Sequence, residues 1–173
     1  LLLAKSDILN QVEIEQNINS YKLSNAPQII YLDEIDSTNN YARLMADKIN
    51  SDFLVVADMQ TLGKGRMGRS WSSPAGTGIF MSLCIKPEIA VEKASMITLV
   101  TAISICDAIE ELYPISTTIK CPNDIVINSK KISGILTEMS SDMDGIKYII
   151  SGMGINVNNK EFPDDIKDMA SSL

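Results

Sequence analysis

The chain has 173 residues, with 15 Lys and Arg against 22 Asp and Glu, a formal charge of −7. Its 45% hydrophobic and 21% charged residues suit one packed domain rather than a disordered chain, and a pI near 4.6 excludes a nucleic-acid-binding surface spread over the whole molecule. With no histidine at all, the chain has no Ser-His-Asp or Cys-His nucleophile pair and no His-ligated metal site, which leaves the chemistry to Lys, Arg, carboxylates, amides and main chain.

In chain order, Leu1-Leu2-Leu3-Ala4 is too short for a signal peptide or a membrane span, and Lys5 and Asp7 interrupt it. Without an initiator Met, the sequence reads as part of a longer protein. Ser6 to Ile18 carries a weak helical pattern, and Tyr21 to Pro27 reads as a connector. Gln28 to Ile35 suits a strand, followed by a helix with Tyr41, Leu44, Met45 and Ile49 on one face. Phe53 to Ala57 reads as a buried strand. Thr61 to Gly78 holds five glycines, one proline and no apolar periodicity, a long loop. Ile79 to Ile85 is the next strand, and Glu92 to Leu112 is so apolar that a central, buried helix is expected. Strands are expected at Ser116 to Lys120, Ile125 to Ile127, Ile132 to Met139 and Lys147 to Val157, joined by short polar hairpin connectors. Lys147 to Ile150 is either an exposed edge through which two copies pair or a covered strand. This order predicts an α+β fold with a mixed, largely antiparallel sheet backed by helices. Cys84, Cys106 and Cys121 have no metal or disulfide spacing, which predicts reduced thiols in a cytoplasmic protein.

Gly63-Lys64-Gly65-Arg66-Met67-Gly68 fits GxGxxG after a strand, yet Pro74 and Gly76 stand where the phosphate-binding helix of a dinucleotide fold would run, so that reading fails. What remains is a glycine loop with Lys64, Arg66 and Arg69 and no acid between Gln60 and Ala75. Its +3 leaves −10 on the rest of the chain. Glycines let main-chain NH groups approach an anion and guanidinium groups pair with carboxylate or phosphate. Trp71, the only tryptophan, offers a flat face just beyond. On residue types alone a solvated flexible loop competes with an anion site, and one aromatic with three cations makes a poor single-strand stacking track.

Lys120-Cys121-Pro122-Asn123-Asp124 sets an amide and a carboxylate at a strand break, as a plain turn also does. Of Lys130 and Lys131, alternation puts one on each face. Gly152 and Gly154 lie inside an apolar strand, where they cost stability unless something approaches the backbone, and Asn156 is either a ligand contact or a satisfied core amide. Ser37-Thr38-Asn39 is most simply a helix N-cap.

Taken in order, Asp36-Ser37-Thr38-Asn39, then Gln60 with the glycine loop through Trp71, then Lys120 to Asp124, Lys131 to Leu136 and Gly152 to Asn156 resemble the catalytic domain of the biotin protein ligases, over about Pro27 to Asn159. The resemblance implies a fold of the class II aminoacyl-tRNA synthetase and biotin ligase kind. It implies adenylation of biotin by MgATP and transfer of biotin to a lysine of a biotin carboxyl carrier protein; the alternatives are a lipoate-attaching enzyme of the same fold, which the lack of histidine disfavours, and a non-catalytic fragment that binds biotin or its adenylate. Residues 27–173 then belong to the catalytic domain, short of the family's later helices and small C-terminal β-barrel. Residues 1–26 resemble the lead-in that follows a DNA-binding domain in repressor-type ligases. By the same resemblance Lys131, Arg66 and Asp124 are catalytic, and Ser37, Thr38, Asn39, Gln60, Gly63, Lys64, Arg66, Lys131, Gly134 and Gly152 bind biotin. Arg66, Arg69, Trp71, Asn123, Asp124, Lys131 and Asn156 bind the nucleotide, with Mg²⁺ carried on the ATP phosphates rather than by His or Cys. The implied partner is the carrier domain, with a homodimer through a sheet edge and neither nucleic acid nor membrane bound by this chain. Two positions depart from the family pattern: Cys121 stands where Trp is usual and Lys64 where Arg is common.

Overall fold

The short β-branched runs become strands: β1 (Gln28–Ile35), β2 (Phe53–Gln60), β3 (Gly78–Ile85), β4 (Thr118–Lys120), β5 (Asp124–Ile127), β6 (Lys130–Asp142) and β7 (Gly145–Asn156). The computed structural model describes residues 10–21, 23 and 25–173. The strands form one sheet in the order β1-β2-β3-β7-β6-β5-β4. Only β1 and β2 run parallel, joined through helix α2 (Thr38–Ala46), and every other pair is antiparallel. This is the expected α+β architecture. The β5–β6 hairpin turns through Asn128 and Ser129, both at positive φ (49° and 67°), the geometry whose twist matches the flanking strands.

Helix α2 packs on one face of the sheet and helix α3 (Met96–Leu112) on the other. On the α2 side the core is Ala42, Ala46, Phe53, Val55, Cys84 and Ile150. On the α3 side it is Ala102, Ile105 and Ile109 against Ile125, Ile132, Ile135 and Ile155. Burying each large side chain of these clusters contributes about 1.5–3 kcal/mol. Thr98 and Thr101 of α3 also bond Thr137 and Ser151 of the sheet, at 2.8 and 2.9 Å.

Four sequence expectations change. The helix placed at Ser6 to Ile18 is α1 (Gln11–Ser20), started by Asn10, whose Oδ1 accepts from Glu13 N at 3.0 Å; residues 1–9 of that reading and of the lead-in lie outside the described residues. Of the expected Tyr41, Leu44, Met45, Ile49 face, Tyr41, Met45 and Ile49 pack half-buried against the core and Leu44 does not. Helix α2 ends at Ala46, buries Thr38, Asn39, Ala42 and Ala46, and leaves Leu44 61% exposed. Its small and polar stripe lets it sit close to the sheet, a pattern that apolar periodicity does not register. Helix α3 starts after a separate short turn at Val91–Lys93 and is not buried all round. A helix lying on one sheet face covers one stripe, and Met96, Leu99, Val100 and Ile103 are exposed on the other side. Finally, Lys147 to Ile150 is not a sheet edge. β7 lies between β3 and β6, with Ile149 and Ile150 paired on both sides and Tyr148 paired to β6 alone, and among the described residues the edge strands are β1 and β4.

The three cysteines are free, and their surroundings differ. Burial pushes the Cys84 thiol up to about 11, whereas Cys121 is exposed. A thiol-reactive dye at pH 8 is therefore expected to label Cys121 first and Cys84 only after denaturation, because the thiolate is the reactive form. Mass mapping of the labelled peptides checks this, and rapid labelling of Cys84 in the folded chain would contradict the packing described here.

Candidate active site

The strand-to-helix corner begins with Asp36, whose Oδ1 accepts from Ser37 N at 2.7 Å and Oδ2 from Asn40 Nδ2 at 2.6 Å. The Asn40 hydrogen bond, first among its causes, holds the Asp36 carboxyl below the usual carboxylate range. Ser37 occupies the N-cap position of α2, yet its side chain makes no capping bond. Its hydroxyl is thus left over from the helix-capping role that the sequence suggests for it, at a position lining the cavity described below.

From this corner a chain of hydrogen bonds crosses the sheet. Thr38 N and Oγ1 both donate to Gln60 Oε1, at 2.9 and 3.1 Å. Ser82 Oγ lies 2.7 Å from Thr38 Oγ1 and 2.6 Å from Asn39 Oδ1, its single proton serving one of them at a time. Asn39 Nδ2 donates to Glu138 Oε2 at 2.7 Å, and Arg43 closes an ion pair on the other Glu138 oxygen. Thr38, Asn39 and Ser82 are all buried, so partners inside the protein replace lost water.

The glycine loop is not an open coil. It folds back on itself as a narrow ribbon, with bridges Gln60 to Ser73 and Lys64 to Ser70 and bonds from Trp71 N to Gly63 O at 2.8 Å and Gly65 N to Arg69 O at 2.7 Å. Met67 (φ 57°) and Gly68 (φ 74°) make its tip, where the left-handed backbone favours glycine. Near its base, Lys64 Nζ reaches Asn40 Oδ1, and Arg66 Nη1 donates to Asn123 Oδ1 at 2.9 Å. Asn123 is itself pinned to β6 through Ile135 O and Ile135 N.

Three glycines explain where the loop comes to rest. A Cβ on Gly152 would stand 2.0 Å from Asn39 Oδ1, and one on Gly154 would stand 2.4 Å from Trp71 Nε1. One on Gly134 would meet Trp71 Cζ3 at 2.9 Å and Lys131 Nζ at 3.0 Å. What approaches these strand backbones is therefore the chain's own Asn39 and Trp71. The Lys131 ammonium sits 5.1 Å from the Trp71 ring centroid and 2.7 Å from Asp124 Oδ1, an ion pair that lacks hydrogen-bond geometry. Trp71 Nε1 is buried with no protein partner among the described residues. Such a donor costs about 1–3 kcal/mol, so the indole is held by shape and by the ammonium rather than by its own polar handle.

These groups enclose a cavity of about 40 Å³ lined by Ser37, Thr38, Asn39, Gln60, Lys64, Arg66, Trp71, Asn123, Lys131, Gly134 and Gly152, which brings together eleven of the expected site residues. Of the two adjacent lysines, Lys131 takes the inner position while Lys130 is exposed. Gly63 packs beneath the loop rather than facing the cavity. Asp124 joins the cavity only through Lys131. Arg69 turns instead to an open groove of about 630 Å³ with Leu62, Pro74 and Pro163. Asn156 lies outside the cavity lining, and its Nδ2 donates to Ser171 O at 3.0 Å. Sequence reasoning did not single out Ser73, Ser82 and Glu138, because isolated serines and a strand glutamate carry no motif. Among the described residues no cluster of three or more metal-binding side chains occurs and no helix is long and apolar enough to cross a membrane.

Residues 31–156 match the family model described as biotin/lipoate A/B protein ligase family. The chain is 42% identical over 175 residues to the bifunctional ligase/repressor BirA of Bacillus subtilis, covering 99% of this chain and 53% of that protein. It is 34% identical to the biotin--[acetyl-CoA-carboxylase] ligase of Paracoccus denitrificans, covering 70% and 51%. Its fold superposes on the biotin protein ligase of Aquifex aeolicus in complex with biotin and ATP with a TM-score of 0.71 and 36% identity, over 84% of this chain and 59% of that one. The chain thus spans about half the length of the curated relatives it matches.

The seat of the indole is open to a direct check. Gly154→Ala is expected to push Trp71 off the sheet and shift its emission to longer wavelength, because the ring then meets water. Since Trp71 is the only tryptophan, steady-state fluorescence reports it alone, with circular dichroism as the control for folding. Unchanged emission would contradict the close approach.

Proposed function

The chain belongs to the biotin/lipoate A/B protein ligase family, and from that premise we propose that it is the catalytic domain of an ATP-dependent biotin protein ligase. In this reading biotin and MgATP give biotinyl-5′-adenylate and pyrophosphate, and the adenylate acylates one lysine of a biotin carboxyl carrier protein in the cytoplasm. The observation that carries the proposal is the convergence of Lys131, Arg66 and Lys64 with an array of buried amides and hydroxyls on one cavity floored by glycine.

The residues suit the two ends of such a ligand. Ser37, Thr38, Asn39 and Gln60 offer hydroxyls and amides to a neutral polar ring, with Gly152 leaving the floor open. Lys131 and Arg66 offer fixed positive charge at the other end, and Lys64 adds a charge beside Asn40 at the helix α2 corner. A cavity of about 40 Å³ holds only a few waters, while small-molecule pockets run to about 300–1,000 Å³, so ligand entry requires Trp71 and the loop to lift from the glycine floor. Trp71 then has a free face for the adenine ring. Arg69 reaches the nucleotide from the groove side of the loop, and Asn156 approaches it through its remaining amide oxygen. Mg²⁺ travels with the ATP phosphates, and Asn123 and Asp124 supply oxygens on that side.

Adenylation brings together two anions. The carboxylate oxygen of biotin forms a bond to the α-phosphorus as the bond from that phosphorus to the bridging oxygen of pyrophosphate breaks. The barrier is charge repulsion followed by charge build-up, and preorganised cations in a closed site address both. The attacking carboxylate is already ionised at neutral pH, so no histidine is needed. In the second step the acceptor amine attacks the acyl carbon and AMP leaves.

In this reading the Lys131 ammonium, which lines the cavity, serves both the carboxylate and the α-phosphate, so Lys131→Ala is expected to cut biotin-dependent exchange of pyrophosphate into ATP by about 10²–10³-fold or more while leaving the circular dichroism spectrum unchanged. Exchange at the rate of the unmodified chain would remove Lys131 from the mechanism. Transfer of labelled biotin to a carrier domain tests the second step.

A further inference from the structure

Beyond the groups already given roles, one small buried hydroxyl joins the amide end of the cavity to the cationic loop. The two donors of Thr38 converge on Gln60 Oε1, and a main-chain N–H can only donate, so the Gln60 amide has one possible orientation with Nε2 facing the loop. Nε2 donates to Ser73 Oγ at 2.9 Å, and the Ser73 proton is then passed to Trp71 O at 3.2 Å. Ser73 is only 4% exposed. The three atoms are packed under Gly63, where a Cβ would lie 2.4 Å from Trp71 O, 2.9 Å from Ser73 Oγ and 3.2 Å from Gln60 Nε2. The backbone bond from Gln60 N to Ser73 O at 3.1 Å closes the ribbon at the same point.

Between Gly63 and Trp71 lie all three loop cations, Lys64, Arg66 and Arg69. The position of the anion-handling charges therefore hangs from a clamp made of a serine hydroxyl, a glutamine amide and one carbonyl. A hydroxyl is suited to it because it accepts from the amide and donates to the carbonyl at once. Alanine would leave both of those groups without a partner.

We propose that Ser73 is a positioning residue that couples occupancy of the Gln60 amide to closure of the cationic loop, so that the ligand's neutral end and its anionic end are sensed together. The coupling rests on the biotin ligase reading given above. Gln60 Nε2 carries two protons: one stays on Ser73 Oγ, and a ligand carbonyl that takes the other fixes the amide, and with it the Ser73 hydroxyl and the Trp71 carbonyl that hydroxyl holds. By linkage, the effect of biotin on the loop equals the effect of loop closure on biotin affinity.

The test compares the intact chain with Ser73→Ala, Ser73→Thr and Gly63→Ala, with circular dichroism to verify folding. Trypsin cleavage after Lys64, Arg66 and Arg69 reads the loop directly, with cleavage at other basic residues as the internal control. In the ligand-free protein Ser73→Ala is expected to speed loop cleavage about tenfold, as loss of one buried hydrogen-bond clamp implies. Gly63→Ala, which wedges a methyl against the same three atoms, is expected to do likewise, and Ser73→Thr, which keeps the hydroxyl, to restore protection. Biotin should slow loop cleavage in the intact chain and in Ser73→Thr, and have little effect in Ser73→Ala. Calorimetric titration of the intact chain with biotin separates the two ideas: absence of binding sinks the biotin ligase reading, while the ligand-free cleavage rates still decide the clamp. Binding accompanied by equal loop cleavage and equal biotin protection in the intact chain and Ser73→Ala overturns the proposal.

Discussion

The site depends on side chains that are missing from one face of the sheet. Gly134, Gly152 and Gly154 fall on adjacent strands β6 and β7, opposite Phe80 and Ser82 of β3, and together they open a shallow floor in an otherwise filled surface. Helix α2 settles Asn39 over Gly152, and the glycine loop settles Trp71 over Gly134 and Gly154. Any Cβ at these points would hold the helix or the loop away and pull the cations from the amides. The cost of glycine within strands is met by these approaches.

Charge follows the same geometry. The chain is acidic overall, yet the loop from Gln60 to Ala75 carries only positive charge. Lys131 adds a fourth cation from the sheet, with Asp124 beside it and the Trp71 face above. Lys64 leans on an asparagine with the Asp36 carboxylate nearby, and Arg66 on another asparagine, so among the described residues neither loop cation facing the cavity forms a direct ion pair. An incoming anion meets fixed positive charge whose usual partners are amides, which hold a side chain in place without cancelling its field. Glu138, by contrast, is taken up by Arg43 and Asn39, and this keeps a negative charge tied down at the far end of the hydrogen-bond chain.

Much of the fold was legible from short β-branched runs and polar turns, because strand burial by alternation is a local property of sequence. The helices were read less well for one reason in two forms. Apolar periodicity reports which residues seek burial, not which surface receives them. In α2 the fully buried stripe is Thr38, Asn39, Ala42 and Ala46: the alanines meet Phe53, Val55, Cys84 and Ile150, and Asn39 lies over Gly152. In α3 apolar residues surround the helix but only one side meets the sheet. The central position of β7 was equally hidden, since strand order is set by pairing across the chain and not by the strand's own residues.

The sequence by itself determined the chemistry available: no imidazole, a single tryptophan, a cationic glycine loop, and lysine, asparagine and aspartate at strand breaks. Residue type and spacing are enough for that, because they state which charges and donors exist and roughly where the chain must turn. Only the tertiary structure decided which of those groups meet. It chose Lys131 over Lys130, turned Arg69 to an outer groove, tied Asn156 to Ser171, and joined Thr38, Gln60 and Ser73 into one clamp. The reason is range: Thr38 and Gln60 are 22 positions apart, and Asn39 and Glu138 are 99 apart, so their contacts exist only once sheet register has brought distant strands into line.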